Sequence, residues 1–388
     1  MIRPLILAAL IAAPAAAAPV EQAAPNVPEK QPAFAGQTRA EAVTAKTQLN
    51  VTEIATGLNR PWGVALLGGG RFLVSEKAAG RLTIIAADGA KTPITGTPAT
   101  DARNQGGMLG VANPGDGWIY WSYAEPREGG NGTAVARGHL VGSEMRDVAV
   151  IFRMMPTLDS AQHYGGRLVF PKDGTLIVTL GERSILQGRM QAQRLDNHLG
   201  KIVRINRDGS VPRDNPFVKT PGAKPEIWTY GNRNVQSAAL DAKGRLWEVE
   251  HGPAGGDELN LIARGKDYGW PTIGYGEEYS GKPINENRTQ APDMEQPVYY
   301  WDPVIGPSGM VFHSGKGAPE FKGNAFIGGL RVQSLVRLVL QNDRVVGEER
   351  LLTDRKERVR DVIEGPAGAL YLLTDSPEGK LLKVTPAR

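Results

Sequence analysis

The fold class predicted by this 388-residue sequence is all-β, a six-bladed β-propeller of four-stranded antiparallel blades. Three observations predict it. One unit recurs six times: an apolar strand, a Gly-containing turn, and a second apolar strand ending in a small or acidic residue. Glycine (48) and proline (28) are abundant while long amphipathic helical stretches are few, as in chains of many strands joined by tight turns. Successive units lie roughly 45–80 residues apart, near the period of propeller blades with inserted loops.

The chain begins MIRPLILAALIAAPAAAAP. Arg3 supplies a positive charge, Leu5 to Ala13 a short apolar stretch, and Ala15 to Ala18 small residues suited to signal peptidase. This is a secretory signal pattern, too short and too rich in small residues for a membrane anchor. The alternative is a buried N-terminal helix. A signal peptide over residues 1–18 and a periplasmic location are expected. Pro19 disfavours cleavage directly before it, which leaves the cut open. Residues 19–48, rich in Ala, Pro, Gln and Glu and without periodicity, read as a flexible leader. Residues 49–388 are left for the propeller.

The second strands of the six units are GGRFLVSE (69–76), GDGWIYWSY (115–123), DGTLIVTLGE (173–182), KGRLWEVEHG (243–252), KGNAFIGGL (322–330) and AGALYLLTD (367–375). Their preceding strands are PWGVALL (61–67), GGMLGVANP (106–114), GGRLVFP (165–171), VQSAALD (235–241), GMVFHS (309–314) and RDVIEGP (360–366). Third strands follow in several units, at 80–85, 200–209, 334–340 and 379–384. A strand from the N-terminal part is expected to close the last blade, since an open edge invites unwanted pairing. The regular register argues against the alternative of two separate all-β domains.

Composition narrows the function. With no cysteine there is neither a disulfide nor a thiolate to bind metal or attack a substrate. The net charge of +4 is spread among interspersed acids and bases, which argues against nucleic-acid binding. No later segment approaches the roughly 18 apolar residues of a membrane span, so no membrane insertion is expected. A monomer is expected.

In a propeller, the loop before each inner strand and the end of the next strand open on one face. Gln105, His163, Arg233, Asn234, Arg358 and Arg360 stand before or at the start of inner strands. Glu182, the His251-Gly252-Pro253 corner and Arg331 stand at the ends of second strands. Any one arginine is well explained by a rim salt bridge. Four together repel one another unless something neutralises them, and their planar forks suit carboxylates, so a polyanionic ligand is expected. His163 precedes a Gly pair, where backbone can approach a ligand closely. It is the candidate base, with Glu182 either orienting its ring or serving as an ordinary rim acid. The segment HGPAGGDELNLIARGKDYGWP (251–271) is acidic and Gly-rich. It reads either as a capped turn or as a calcium site built of carbonyls and carboxylates.

The segments GLNRPWGVALL, QGGMLGVA, HYGGRLVF, LGKIVRINRDGSVPRDNPF, EIWTYGNRNVQSAAL, EHGPAGGDELNLIARGKDYGWP and RVRDVIEGPAGALYLLTD carry a resemblance. From about Leu58 to Val384 the chain resembles the soluble PQQ-dependent aldose sugar dehydrogenases of the glucose/sorbosone dehydrogenase family. The resemblance implies a six-bladed propeller with PQQ, a planar tricarboxylate, on one face. It implies that His163 takes the proton of an aldose's anomeric hydroxyl while hydride passes to the quinone, giving a lactone. Gln105, Arg233, Asn234, Tyr279, Arg331, Arg358 and Arg360 fall at the family's PQQ-contacting positions. Gly252 and Pro253 fall where carbonyls hold a calcium ion beside the quinone, and Glu258 and Tyr268 where a second, structural calcium is bound. Two residues depart from the glucose-specialised branch: Arg331 stands in place of Lys, and Gln162 in place of an acid before the histidine. Both point to broader aldose oxidation. The sugar and the electron acceptor are left unnamed. The competing readings are a metal-dependent lactonase and a non-catalytic ligand-binding propeller, since a fold does not dictate a function.

Overall fold

The computed structural model describes residues 18–387, so the expected signal peptide lies outside the described residues except for Ala18. Its strands form six four-stranded sheets, each antiparallel. The inner strands are Pro61–Gly68, Met108–Ala112, Gly165–Val169, Val235–Leu240, Pro307–Phe312 and Val359–Glu364. Each packs against the next and the last against the first, which makes a closed ring. The outermost strand of the sixth blade is Leu49–Leu58, paired antiparallel with Gly379–Pro386, as the open-edge argument expects.

Each strand pair located in the sequence lies in its own blade. The fourth strands of blades one to five and the third strands of blades two and four escaped the sequence reading. Blade two ends in a long hairpin, Gly130–Val141 with Glu144–Arg153, whose outer strand is half solvated. In blade four the acidic, Gly-rich segment 251–271 contains the third strand, Asp257–Leu261. It buries Asp257 and Asn260 alongside Leu259, so apolar alternation does not mark it.

Apolar layers between neighbouring blades hold the ring. Trp121 of blade two faces Leu73 and Leu82 of blade one, and Trp247 of blade four faces Met310 and Ile327 of blade five. The remaining junctions are built in the same way. Burying each such side chain contributes about 1.5–3 kcal/mol. Towards the axis the strands approach too closely for side chains at two glycines. A Cβ on Gly110 would collide with the Gly166 carbonyl, and one on Gly309 with the Asp361 carboxylate.

Residues 19–48, expected as a flexible leader, make specific contacts. The backbone N–H groups of Asn26 and Val27 donate to the Asp302 carboxylate at 2.9 and 3.0 Å. Lys30 Nζ donates to the carbonyls of Gly274 and Gly276, each at 2.8 Å. Val27 is buried. Most of these bonds end on backbone or on residues some 250 positions away, so no periodicity announces them. Among the described residues no helix is long and apolar enough to cross a membrane.

Candidate active site

The inner strand of blade three starts at Gly165, whose φ is +64° and whose Cβ position is occupied by Leu180 and Thr179 backbone. Only glycine fits there. This turn places His163 and Glu182, on neighbouring strand ends, side by side. His163 Nδ1 lies 2.9 Å from Glu182 Oε1. The carboxylate accepts only if Nδ1 carries the proton, which makes Nε2 the unprotonated nitrogen. The backbone N–H of Ser184 donates to the other carboxylate oxygen at 2.8 Å, so Glu182 is itself held in place.

His163 is 5% exposed. Burial, with the Arg233 charge next, pushes its pKa down to about 4 although Glu182 pulls it up. The folded value lies below the ordinary 6.5, so the neutral ring contributes stability above about pH 6.5 that is lost as pH falls through about 4. At neutral pH the ring is an uncharged base. His251 is likewise driven by burial to about 3, and its Nε2 lies 2.7 Å from the Pro307 carbonyl.

Beside this pair opens a cavity of about 620 Å³, of the size that takes small organic ligands. Tyr164 and Gly165, the two residues after His163, line it. So do Gln105, Arg358 and Arg360. The lining also includes Arg60, Lys77, Gln236 and Asp375, none of which the sequence reading singled out. Asp375 binds Arg358 at 2.8 Å, Arg360 at 3.1 Å and Arg60 at 3.8 Å. Burial would raise the Asp375 carboxyl, but Arg360 and Arg358 outweigh it and hold it at about 2. Burial and the nearby Arg360 lower Lys77 to about 8. Four cationic side chains thus face one carboxylate in the lining. A signal for Lys77 and Asp375 was present, since both stand at the ends of second strands, where Glu182 and His251 were found.

Arg233 and Asn234 are buried, and Arg233 lines a second, smaller cavity. The Asn234 side-chain oxygen accepts from the N–H of Gly165 at 3.2 Å. Arg233 Nη1 donates to the carbonyls of His251 and Gly252 at 2.9 and 2.7 Å. Arg233 Nε, Arg360 Nε and Asn234 Nδ2 are buried donors without a protein partner. Four predicted cofactor-contacting residues lie outside the lining of the large cavity: the buried Arg233 and Asn234, and Tyr279 and Arg331. Tyr279 is 77% exposed, and Arg331 is exposed although its neighbour Leu330 reaches the wall.

The smaller cavity, about 20 Å³, brings Gly252, Pro253, Glu258 and Tyr268 together, with Glu250 beside them. That is room for one water-sized occupant. Burial first, then repulsion from Glu250, pushes Glu258 up to about 8, and burial pushes Glu250 to about 7. Such a site favours either protons or a cation. No three acid or histidine side chains among the described residues converge as metal ligands. A cation there requires carbonyl oxygens besides carboxylate, which is the ligand chemistry of calcium.

Residues 58–383 match the family described as Glucose / Sorbosone dehydrogenase. The aldose sugar dehydrogenase YliI of Escherichia coli K12 is 40% identical over 352 residues, which cover 88% of this chain and 94% of that protein. The crystal structure of the soluble E. coli aldose sugar dehydrogenase in its apo-form superposes with a TM-score of 0.84, covering 88% of this chain and all of that one. The PQQ-bound aldose sugar dehydrogenase of Streptomyces coelicolor, 28% identical, superposes at 0.71 with the same 88% of this chain covered and all of that chain.

Proposed function

This chain belongs to the glucose/sorbosone dehydrogenase family, and from that premise we propose that it oxidises aldose sugars at the anomeric carbon to lactones, with PQQ and calcium as cofactors. One observation carries the reading: a buried, neutral histidine with its proton fixed on the Glu182 side stands beside a cavity of four cations and one carboxylate. An excess of about three positive charges suits a tricarboxylate, and the unpartnered donors of Arg233, Arg360 and Asn234 suit its oxygens. When bound, PQQ supplies a quinone that accepts hydride.

The chain's own residues do the rest. His163 Nε2 receives the proton of the anomeric hydroxyl. Glu182 accepts from Nδ1–H and stabilises the imidazolium that forms. Arg358 and Arg360, pinned by Asp375, and Lys77 would hold the cofactor's carboxylates. The Gly252 and Pro253 carbonyls would hold a calcium ion that polarises the quinone. Glu258 and the Tyr268 carbonyl would hold the second, the single occupant for which the small cavity has room, and it would relieve the buried charge there. The secretory signal pattern read at residues 1–18 supports a periplasmic location, with an electron acceptor that is a separate molecule.

Reconstitution tests the reading. Apoprotein mixed with PQQ and calcium should give a difference spectrum and oxidise several aldoses with an artificial acceptor. Absence of turnover with every sugar tried overturns it. Arg360→Met should weaken PQQ binding roughly 10–100-fold, the worth of one charge-assisted contact. Quenching of tryptophan fluorescence can report this, because Trp62 lines the cavity.

Calcium gives a further expected result. In the metal-free protein the raised values of Glu250 and Glu258 mean that their protonated forms contribute stability at low pH, lost as pH rises through about 7 and 8. Calcium should therefore raise the melting temperature by a few degrees at pH 8 and by less at pH 5, where protons compete. In Glu258→Gln the pH 8 shift should largely vanish. An equal shift in wild type and variant would remove Glu258 from the calcium site.

A further inference from the structure

We propose that Arg183 is a positioning residue, one that holds the peptide unit before His163 and so aims the imidazole at its substrate. The proposal rests on the reading of His163 as the base.

His163 has a φ of +47°, a left-handed conformation uncommon for any residue with a side chain. The peptide linking Gln162 to His163 is gripped at both ends. Its carbonyl accepts from Arg183 Nη1 at 2.8 Å. Its N–H donates to Gln105 Oε1 at 2.9 Å. With both polar groups of one planar unit engaged, the plane cannot turn without breaking a part-buried hydrogen bond. On the other flank, the Arg183 guanidinium lies 3.6 Å from the centre of the Tyr164 ring. A single side chain thus touches the residue before His163 and the residue after it.

Arg183 is built for this place. It is 1% exposed. Its Nη2 donates to the Ser160 carbonyl and to Asn131 Oδ1. The Tyr164 hydroxyl meets the same two oxygens at 3.1 and 3.0 Å. No carboxylate pairs directly with the guanidinium among the described residues, so an ordinary salt bridge does not account for its burial. Arg183 also follows Glu182 directly in the chain. One residue fixes the ring of His163 and the next fixes its backbone. A lysine could not make both contacts, because only a guanidinium combines a planar fork with a stacking face.

The charged and titratable groups around the imidazole are Glu182 on its own blade, Arg183 after it, Arg233 from blade four, and His251 beyond. Among them Arg183 opposes protonation of the ring, a secondary effect after burial and Arg233.

Arg183→Met and Arg183→Lys test the proposal in PQQ- and calcium-loaded protein, with histidine ring NMR on the apoprotein as a readout independent of turnover. Both variants should lower kcat about 100-fold, the cost of misplacing a reacting group by roughly 1 Å. KM for the sugar and PQQ affinity should stay within about twofold. The His163 ring resonance should move in both. Its titration should shift to higher pH in Arg183→Met and stay close to wild type in Arg183→Lys, which keeps the charge. If Arg183→Met does not fold, judged by lost PQQ binding, Arg183→Lys decides by the same kcat and resonance shift. Unchanged kcat and an unmoved resonance in a folded variant overturn the proposal. A His163→Ala enzyme as active as wild type overturns the functional reading instead, and the resonance shift then still reports whether Arg183 holds the histidine.

Discussion

His163→Ala should lower kcat by about 10²–10⁴-fold, the usual worth of a positioned general base. PQQ affinity should change little, because the ring is not part of the cationic wall of the cavity. The argument runs from burial to protonation to role. Burial and Arg233 hold the ring neutral down to about pH 4. Glu182 takes the Nδ1 proton and leaves Nε2 as the basic atom. The acid limb of the wild-type kcat profile should therefore fall below the ordinary histidine value of about 6.5. Glu182→Gln keeps the shape of the side chain but not the charge, so it should lower kcat less than His163→Ala and move that limb to still lower pH. Steady-state kinetics across pH measures all three. An acid limb that stays the same when Glu182 is changed would separate the two residues and remove Glu182 from the mechanism.

The second large effect is on stability. Asp361→Asn should destabilise the fold by about 3–5 kcal/mol, the cost of removing one partner from a buried ion pair. Asp361 lies on the inner strand of blade six, and Arg167 on that of blade three, opposite it across the ring. The pair is bidentate, at 3.0 and 3.1 Å, and both residues are buried. Asp361 also accepts from the N–H of Val64 in blade one at 3.0 Å, and the Arg167 guanidinium lies 4.7 Å from the Trp62 ring. This strut ties three blades together along the axis. With the carboxylate neutralised, the guanidinium is left charged and unpaired in a buried position. A lowered urea midpoint at unchanged slope is the expected signature. Arg167→Met combined with Asp361→Asn should recover most of the loss, since no charge is then stranded. A single variant within about 1 kcal/mol of wild type would show that water reaches the pair and screens it.

Much of the ring was legible because strand pairing is a local matter. The inner and second strands of every blade could be read from apolar runs broken by Gly turns, and so could the strand that closes the ring. Lys77 and Asp375 were legible by the same rule and were passed over: the register that singled out Glu182 applies equally to the second strands of blades one and six. The leader was not legible, because Lys30 and Asn26 bond to partners far along the chain and present no pattern of their own.

By itself, then, the sequence determined the number of blades, the strand register, and hence which chain positions reach one face. Alternation along a strand decides which way each side chain points, and that rule is written in consecutive residues. Only the tertiary structure decided which of those side chains meet. It joined His163 to Glu182, sent Arg183 beneath the histidine's own peptide, gathered Gly252, Pro253, Glu258 and Tyr268 at one small cavity, and left Tyr279 and Arg331 facing solvent. The physical reason is that rim side chains take their direction from loop backbone. That backbone includes left-handed residues such as His163 and Arg183, which are held in part by distant side chains such as Gln105 and Asn131.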